Sequence, residues 1–202
     1  MTRIETDRLI LRPWEARDLL PFAAMCDDPE VMEFFPDRLD LAGTEAVIAR
    51  LEQRRRDGGF GMLAAEIRAT GDFVGVIGLQ RVPYDAAFTP AVEVGWRLAR
   101  AHWGKGYASE GAGGCLAHGF SEGLTEIVAV AHVANVKSHA VMERIGMSRD
   151  LAADFDHPAL PAGHRLGRHG LWRIARPAPH GPPERKRPGN ARPQPVGLDI
   201  SR

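Results

Sequence analysis

The chain has 202 residues, 44% of them hydrophobic, with 26 Lys+Arg balanced by 26 Asp+Glu. That composition can bury one core, and a formal net charge of zero excludes a generally basic nucleic-acid binder and a strongly acidic solvating chain. No run of eighteen apolar residues is present, which excludes a membrane span, and the opening segment lacks an apolar leader, so a cytoplasmic location is expected.

Residues 4–13 alternate loosely through Leu9 and Leu11 and read as one opening strand ended by Pro13. Leu19, Leu20, Phe22 and Ala23 recur at helical spacing over 18–26, and Asp28-Pro29 interrupts them. Residues 41–56 predict a clearer helix, with Thr44 as cap, Val47, Ile48 and Leu51 as apolar stripe, and Arg54-Arg55-Arg56 as a solvated end, the alternative being a cluster that steers an acidic substrate. The period then changes. Residues 61–68 and 73–79 read as strands joined by the hairpin signal Ala69-Thr70-Gly71-Asp72, and 91–98 as a third strand. Residues 107–122 suit a helix; Gly111, Gly113 and Gly114 lower its intrinsic preference but let it lie close on a sheet. A buried-type strand over 125–133, a short helix over 135–144 stopped by Gly146, and a weak last strand over 170–174 follow.

This order predicts a single α+β domain over residues 1–175. Residues 176–202 hold six basic and two acidic side chains and seven of the 15 prolines. They read as a disordered, solvated extension, the alternative being a tail that touches RNA in a salt-dependent way.

The sharpest local feature is Trp103-Gly104-Lys105-Gly106-Tyr107-Ala108-Ser109-Glu110, where a strand runs through a glycine-rich turn into a helix. Unpartnered N–H groups at a helix start, with no Cβ at Gly104 and Gly106, make a cradle for a phosphate; the same turn could serve only to reverse the chain. It is neither a P-loop, since Gly106 follows Gly104-Lys105, nor a dinucleotide fingerprint, since Ser109 stands where a third glycine or alanine belongs. Downstream, Asn135 can cap its helix, and Ser138 falls one turn in. Cys26 and Cys115, without a CxxC, make neither a disulfide framework nor a zinc knuckle, and Cys115 reads as core. His157, His164 and His169 share no helical ligand spacing, so no metal is expected.

The ordered set of WGKGYASE, Asn135-Val136-Lys137-Ser138, Val141-Met142-Glu143-Arg144-Ile145-Gly146-Met147, the opening Glu5-Thr6-Asp7-Arg8-Leu9-Ile10-Leu11-Arg12-Pro13 and Gly75-Val76-Ile77-Gly78-Leu79 resembles the GNAT superfamily of acetyl-CoA-dependent N-acetyltransferases, in its RimJ/RimL branch. The resemblance covers about residues 3–174. It implies a mostly antiparallel central sheet, splayed at the coenzyme site and flanked by helices. It further implies that Trp96 and Leu98 face the pantetheine arm, that Trp103, Gly104, Lys105, Gly106, Tyr107 and Ala108 hold the pyrophosphate, and that Asn135 contacts the coenzyme. Trp103 stands where the family usually has Arg or Gln.

The reaction so implied is aminolysis of a thioester, with acetyl-CoA as co-substrate. Glu93 is the candidate base, sharing a strand face with Gly95 and Arg97; an exposed or paired strand carboxylate is the plain alternative. Ser138 is the candidate donor to the leaving thiolate, unless its hydroxyl bonds within its own helix turn. The N–H of Trp96 could hold the oxyanion. Trp14, Phe34 and Phe35 near Pro36 are candidates for the acceptor side. The acceptor itself, a protein N-terminus or a small-molecule amine, stays open, as does a homodimer; a nucleic-acid partner is not expected. A coenzyme-binding module without turnover is the rival reading, separated from the enzyme by thiol release in the presence of amines.

Overall fold

The computed structural model describes residues 3–178; the extension read from 176 onward lies outside them from residue 179. Two strands, β1 (Ile4–Glu5) and β2 (Leu9–Arg12), replace the single opening strand predicted from alternation. Thr6 turns the chain between them: its N–H donates to the Leu9 carbonyl (2.9 Å), and its hydroxyl accepts from the Leu9 N–H (3.1 Å). Helices α1 (Leu19–Asp27) and α2 (Leu41–Gly58) follow. The cap of α2 is Asp40, whose carboxylate accepts from the Gly43 N–H at 2.7 Å. Thr44, the predicted cap, is instead fully buried, its hydroxyl donating to the Asp40 carbonyl.

The remaining elements are β3 (Met62–Ile67), β4 (Phe73–Arg81), β5 (Val92–Leu98), α3 (Tyr107–Ser121), β6 (Glu126–His132), α4 (Val136–Arg144), β7 (Ser148–Asp156) and β8 (Arg168–Ala175). They build one eight-stranded sheet in the order β1-β2-β3-β4-β5-β6-β8-β7, antiparallel except where β5 meets β6. The predicted fold class is thus the one observed. Helix α3 lies close on the sheet through its small residues: a Cβ on Gly111 would come within 2.5 Å of Ile77, and one on Gly114 within 2.8 Å of Thr6. Gly113 faces open space. One core lies under α3; a second, around Phe22, Met25, Cys26 and Val31, sits beneath α1 and α2. Cys115 belongs to the first, its thiol pushed up to about 12 by burial.

A buried ionic network ties the start of the chain to the sheet. Arg12, 4% exposed, donates both terminal nitrogens to Asp18 (2.8 and 2.9 Å) and its Nε to Glu66 (2.8 Å). Asp18, 1% exposed, also accepts the Glu15 N–H at 2.8 Å.

Strand β7 was not legible in sequence; the last strand predicted over 170–174 is present as β8, longer than expected and paired on both sides. β8 pairs with β6 from Glu126↔Ala175 to His132↔His169 and with β7 on its other side. This hairpin brings the His157 and His169 rings to 5.0 Å, beside Phe155. Burial lowers both imidazoles from 6.5. A histidine with a lowered folded value contributes stability that is complete above the unfolded value and is lost as pH falls below it. Urea midpoints are therefore expected to drop as pH goes from 7.5 to 5, and to drop less in His157→Asn/His169→Asn; equal slopes would exclude this pair as the cause. Among the described residues no group of three or more His, Cys, Asp or Glu is placed to hold a metal ion, and no helix is long and apolar enough to cross a membrane.

Candidate active site

Strands β5 and β6 start as neighbours and then part. Their parallel pairing is at Glu93↔Val128 alone. On its other edge β5 pairs with β4 in unbroken register from Arg81↔Val92 to Gly75↔Leu98. The flanking bonds, Val82 N–H to the Ala91 carbonyl and Ala99 N–H to the Val74 carbonyl, fix the alternation. Odd-numbered residues of β5 therefore ladder onto β4, and even-numbered ones turn N–H and C=O toward β6. At Trp96 no β6 partner remains, so its main-chain groups face the gap. The Leu98 carbonyl also faces it, and there the Trp103 indole donates to it at 2.9 Å.

Beyond β5 the chain enters the glycine turn. Gly104 (φ +72°) and Gly106 (φ +82°) are both in the left-handed region, where an L side chain is strained. Among the described residues the N–H groups of residues 104–109 find no acceptor, whereas the Glu110 N–H closes the first α3 turn onto Gly106. Arg8 and Glu110 brace this turn from outside. Arg8 donates to Glu110 (2.6 Å) and to the Lys105 carbonyl (3.0 Å) and lies 4.8 Å over the Tyr107 ring; Glu110 also accepts from Thr6 at 2.7 Å.

Trp96, Leu98, Trp103, Gly104, Lys105, Gly106, Tyr107, Ala108 and Asn135 all line one outer cavity of about 740 Å³. The structure thus brings together every residue that the resemblance marks for the coenzyme. Asn135 also caps α4, its side-chain oxygen accepting from the Ser138 N–H at 3.1 Å. Lys137 sits 4.2 Å over the Trp103 ring, a contact not read from sequence.

An inner cavity of about 480 Å³ adjoins the outer one, and the two share Phe35, Trp96, Arg97 and Ser138. Glu93 lines the inner cavity, where Gln80 Nε2 donates to its Oε1 at 2.7 Å. Burial raises its pKa above the ordinary carboxyl value, against the opposing Gln80 hydrogen bond and the charge of Arg54. The Ser138 hydroxyl makes no hydrogen bond among the described residues, so it is not tied to its own helix turn.

Three readings from sequence change here. Trp14 lines neither cavity: half-buried, it packs against the second core with its ring 4.7 Å from Phe22, and its indole donates to the Met62 carbonyl. Phe35 and Pro36 do line the inner cavity, while Phe34 lines the outer one. Arg54 is no solvated helix end, because it follows Val47 and Leu51 on the inward face of α2 and lines the inner cavity. The i, i+4, i+7 spacing of those three residues carried that signal.

Residues 8–148 match the family described as Acetyltransferase (GNAT) domain. YkkB of Bacillus subtilis, an uncharacterized protein, is 34% identical over 148 residues, 72% of this chain and 85% of its own. An acetyltransferase from Agrobacterium tumefaciens is similar in structure at TM-score 0.70 and 28% identity, covering 87% of this chain and 95% of its own. RimJ of Mycobacterium smegmatis, solved in complex with CoA-disulfide, shares the fold at TM-score 0.70 and 20% identity, over 86% of this chain and 87% of its own. Sheet order, parted strands and family match agree: the chain belongs to the GNAT family of N-acetyltransferases.

Proposed function

We propose that this protein transfers the acetyl group of acetyl-CoA directly to a primary amine, with the coenzyme in the outer cavity and the acceptor in the inner one. The observation that carries this reading is the row of unpartnered N–H groups over residues 104–109, opening between two left-handed glycines onto a cavity beside parted strands. Such a row at a helix start suits a diphosphate. The free edge of β5 at Trp96 suits an extended amide-bearing arm.

When bound, acetyl-CoA supplies a thioester to the throat between the cavities. The protein's own groups do the rest. Glu93 removes a proton from the amine, which must be neutral to attack; a peptide α-amino group, with a pKa of about 7.7–8.0, needs only modest help, and a more basic amine needs more. Gln80 holds one carboxylate oxygen and leaves the other for the proton. The Trp96 N–H, which opens onto the gap, donates to the acetyl oxygen as it gains charge. The unbonded Ser138 hydroxyl donates to the departing sulfur. No acyl-enzyme is required, and Cys115 is buried away from both cavities.

The test is thiol release from acetyl-CoA across a panel of amines; release no faster than hydrolysis with every amine overturns the reading. Glu93→Gln is expected to lower kcat by about 10²- to 10⁴-fold with the coenzyme Kd unchanged. Because a base works deprotonated, wild-type kcat/KM rises with pH through the Glu93 pKa, which lies above 4.5. That limb is expected to vanish in Glu93→Gln, and its persistence would assign the base elsewhere.

A further inference from the structure

Arg97 is the least compensated cation among the described residues of the two cavities. It stands in the throat shared by both cavities, yet among the described residues no carboxylate lies within ion-pair distance of its guanidinium. Its Nε is sealed from solvent without a hydrogen-bond partner. One terminal nitrogen meets only the Met32 sulfur, at 3.0 Å, a weak acceptor. Phe35 and Phe22 flank the guanidinium, their ring centroids 4.4 and 5.2 Å from its central carbon. A cation desolvated in this way is costly unless something anionic completes it.

The rest of the inner cavity is biased the same way. Arg54 and Arg97 outnumber Glu93 among the less exposed lining residues, while the exposed Arg50 and Asp37 add one charge of each sign. The walls between are apolar, formed by Met32, Val47, Leu51 and Met142 among others. Glu93 and Arg97 lie on one face of β5, their Cα atoms about 13 Å apart at about 3.3 Å per residue. Side chains reaching inward from both ends leave room for a small molecule with charges at two points and an apolar body.

The geometry points to an acceptor that carries a carboxylate as well as its amine: a small apolar amino acid, its carboxylate held by Arg97 and its nitrogen presented toward Glu93 and the throat. This inference rests on the inner cavity being the acceptor's seat. It disfavours polyamines, which would bring further cations beside Arg54 and Arg97 and leave Arg97 uncompensated.

The test uses the full-length chain and matched probes: leucine, methionine and phenylalanine, each beside its amide, with spermidine as a polycation. Thiol release from saturating acetyl-CoA, with kcat/KM expressed per neutral amine, is expected to favour each free acid over its amide by about ten- to a hundredfold, the range for a charge-assisted hydrogen-bonded contact. Spermidine is expected to be poorer still. Arg97→Met is expected to collapse the acid-to-amide ratio toward one, and Arg97→Lys to retain part of it. Retained coenzyme affinity shows that these variants fold; should Arg97→Met not fold, Arg54→Met is expected to lower the same ratio by a smaller factor.

Turnover without preference for the acid, or with preference for spermidine, overturns this inference and leaves acetyl transfer standing. Calorimetric titration of the CoA-loaded protein with N-acetyl-leucine and its amide separates the remaining case. If no amine is turned over, carboxylate-dependent binding that Arg97→Met abolishes upholds the anion seat while the enzyme reading fails. Equal or absent binding of the two overturns the seat as well.

Discussion

Asp18→Ala is expected to destabilise the fold by about 3–5 kcal/mol, the range for removing one partner of a buried ion pair. Arg12 is 4% exposed, and two of its donors point at Asp18; without that carboxylate one keeps only the neutral Pro13 carbonyl at 3.1 Å and the other only Glu66, so the buried guanidinium loses one of its two buried carboxylates. Glu66 still takes the Nε hydrogen but has Arg17 on it as well, at 2.9 Å. Against a total of about 5–15 kcal/mol for a domain, such a loss is large. At about 2–4 °C per kcal/mol for a chain of this size, the melting temperature is expected to fall by roughly 6–20 °C. Replacing the ionic cluster as a whole, by Arg12→Met/Asp18→Leu/Glu66→Gln, is expected to recover part of the loss, since no charge is then left buried alone. A loss under about 1 kcal/mol in Asp18→Ala would mean that water or a shifted Glu66 satisfies Arg12. Asp18 also precedes α1, so its variant is expected to loosen Met32 and Phe35, which wall the inner cavity downstream.

The second large effect concerns the coenzyme. Gly104→Val is expected to raise the Kd for coenzyme A at least tenfold while costing the free protein about 1–2 kcal/mol, the penalty of a left-handed L residue. Gly104 has φ +72°, and a Cβ there would meet nothing of the protein within 4 Å; Gly104 lines the outer cavity. The added side chain thus stands where a ligand would approach the free N–H row and displaces little of the protein. Ligand-induced stabilisation gives a second reading. At a hundredfold excess over its Kd, coenzyme A is expected to stabilise the wild type by about 2.7 kcal/mol, and the variant by clearly less at the same concentration. Unchanged affinity would place the diphosphate away from this turn.

The coenzyme half of the candidate site was largely legible because it is local. A strand, a glycine turn, a helix start and an Asn-x-x-Ser helix opening are contiguous words in the chain, and each carries its own backbone geometry. The inner cavity was not, because it is assembled from α2, β4, β5 and the segment after α1, which meet only through the sheet order. Arg54 shows the difficulty. Within Arg54-Arg55-Arg56 the three side chains look alike, and only helical phase separates the inward Arg54 from Arg55, which pairs with Glu52 at 2.8 Å, and the exposed Arg56. Trp14 misled in the opposite direction: an aromatic suits a binding wall, but a hydrogen bond to the Met62 carbonyl and the Phe22 ring hold it against the core. Strand β7 escaped because its residues 148–156 show no apolar alternation; as an edge strand with an irregular register it buries little. The turn at Thr6 hid within an alternation that continues on both sides of it.

The place of β8 has a consequence for how the protein is made. It is inserted between β6 and β7, so the strand carrying Ile127, Val128 and Ala129 has a bare hydrogen-bonding edge until residues 168–175 have left the ribosome. A nascent chain that already holds the glycine turn and α4 still offers this apolar ribbon to other chains. Synthesis stalled before that point yields an aggregating fragment rather than a weakened enzyme, and the segment most in need of a chaperone's cover is β6.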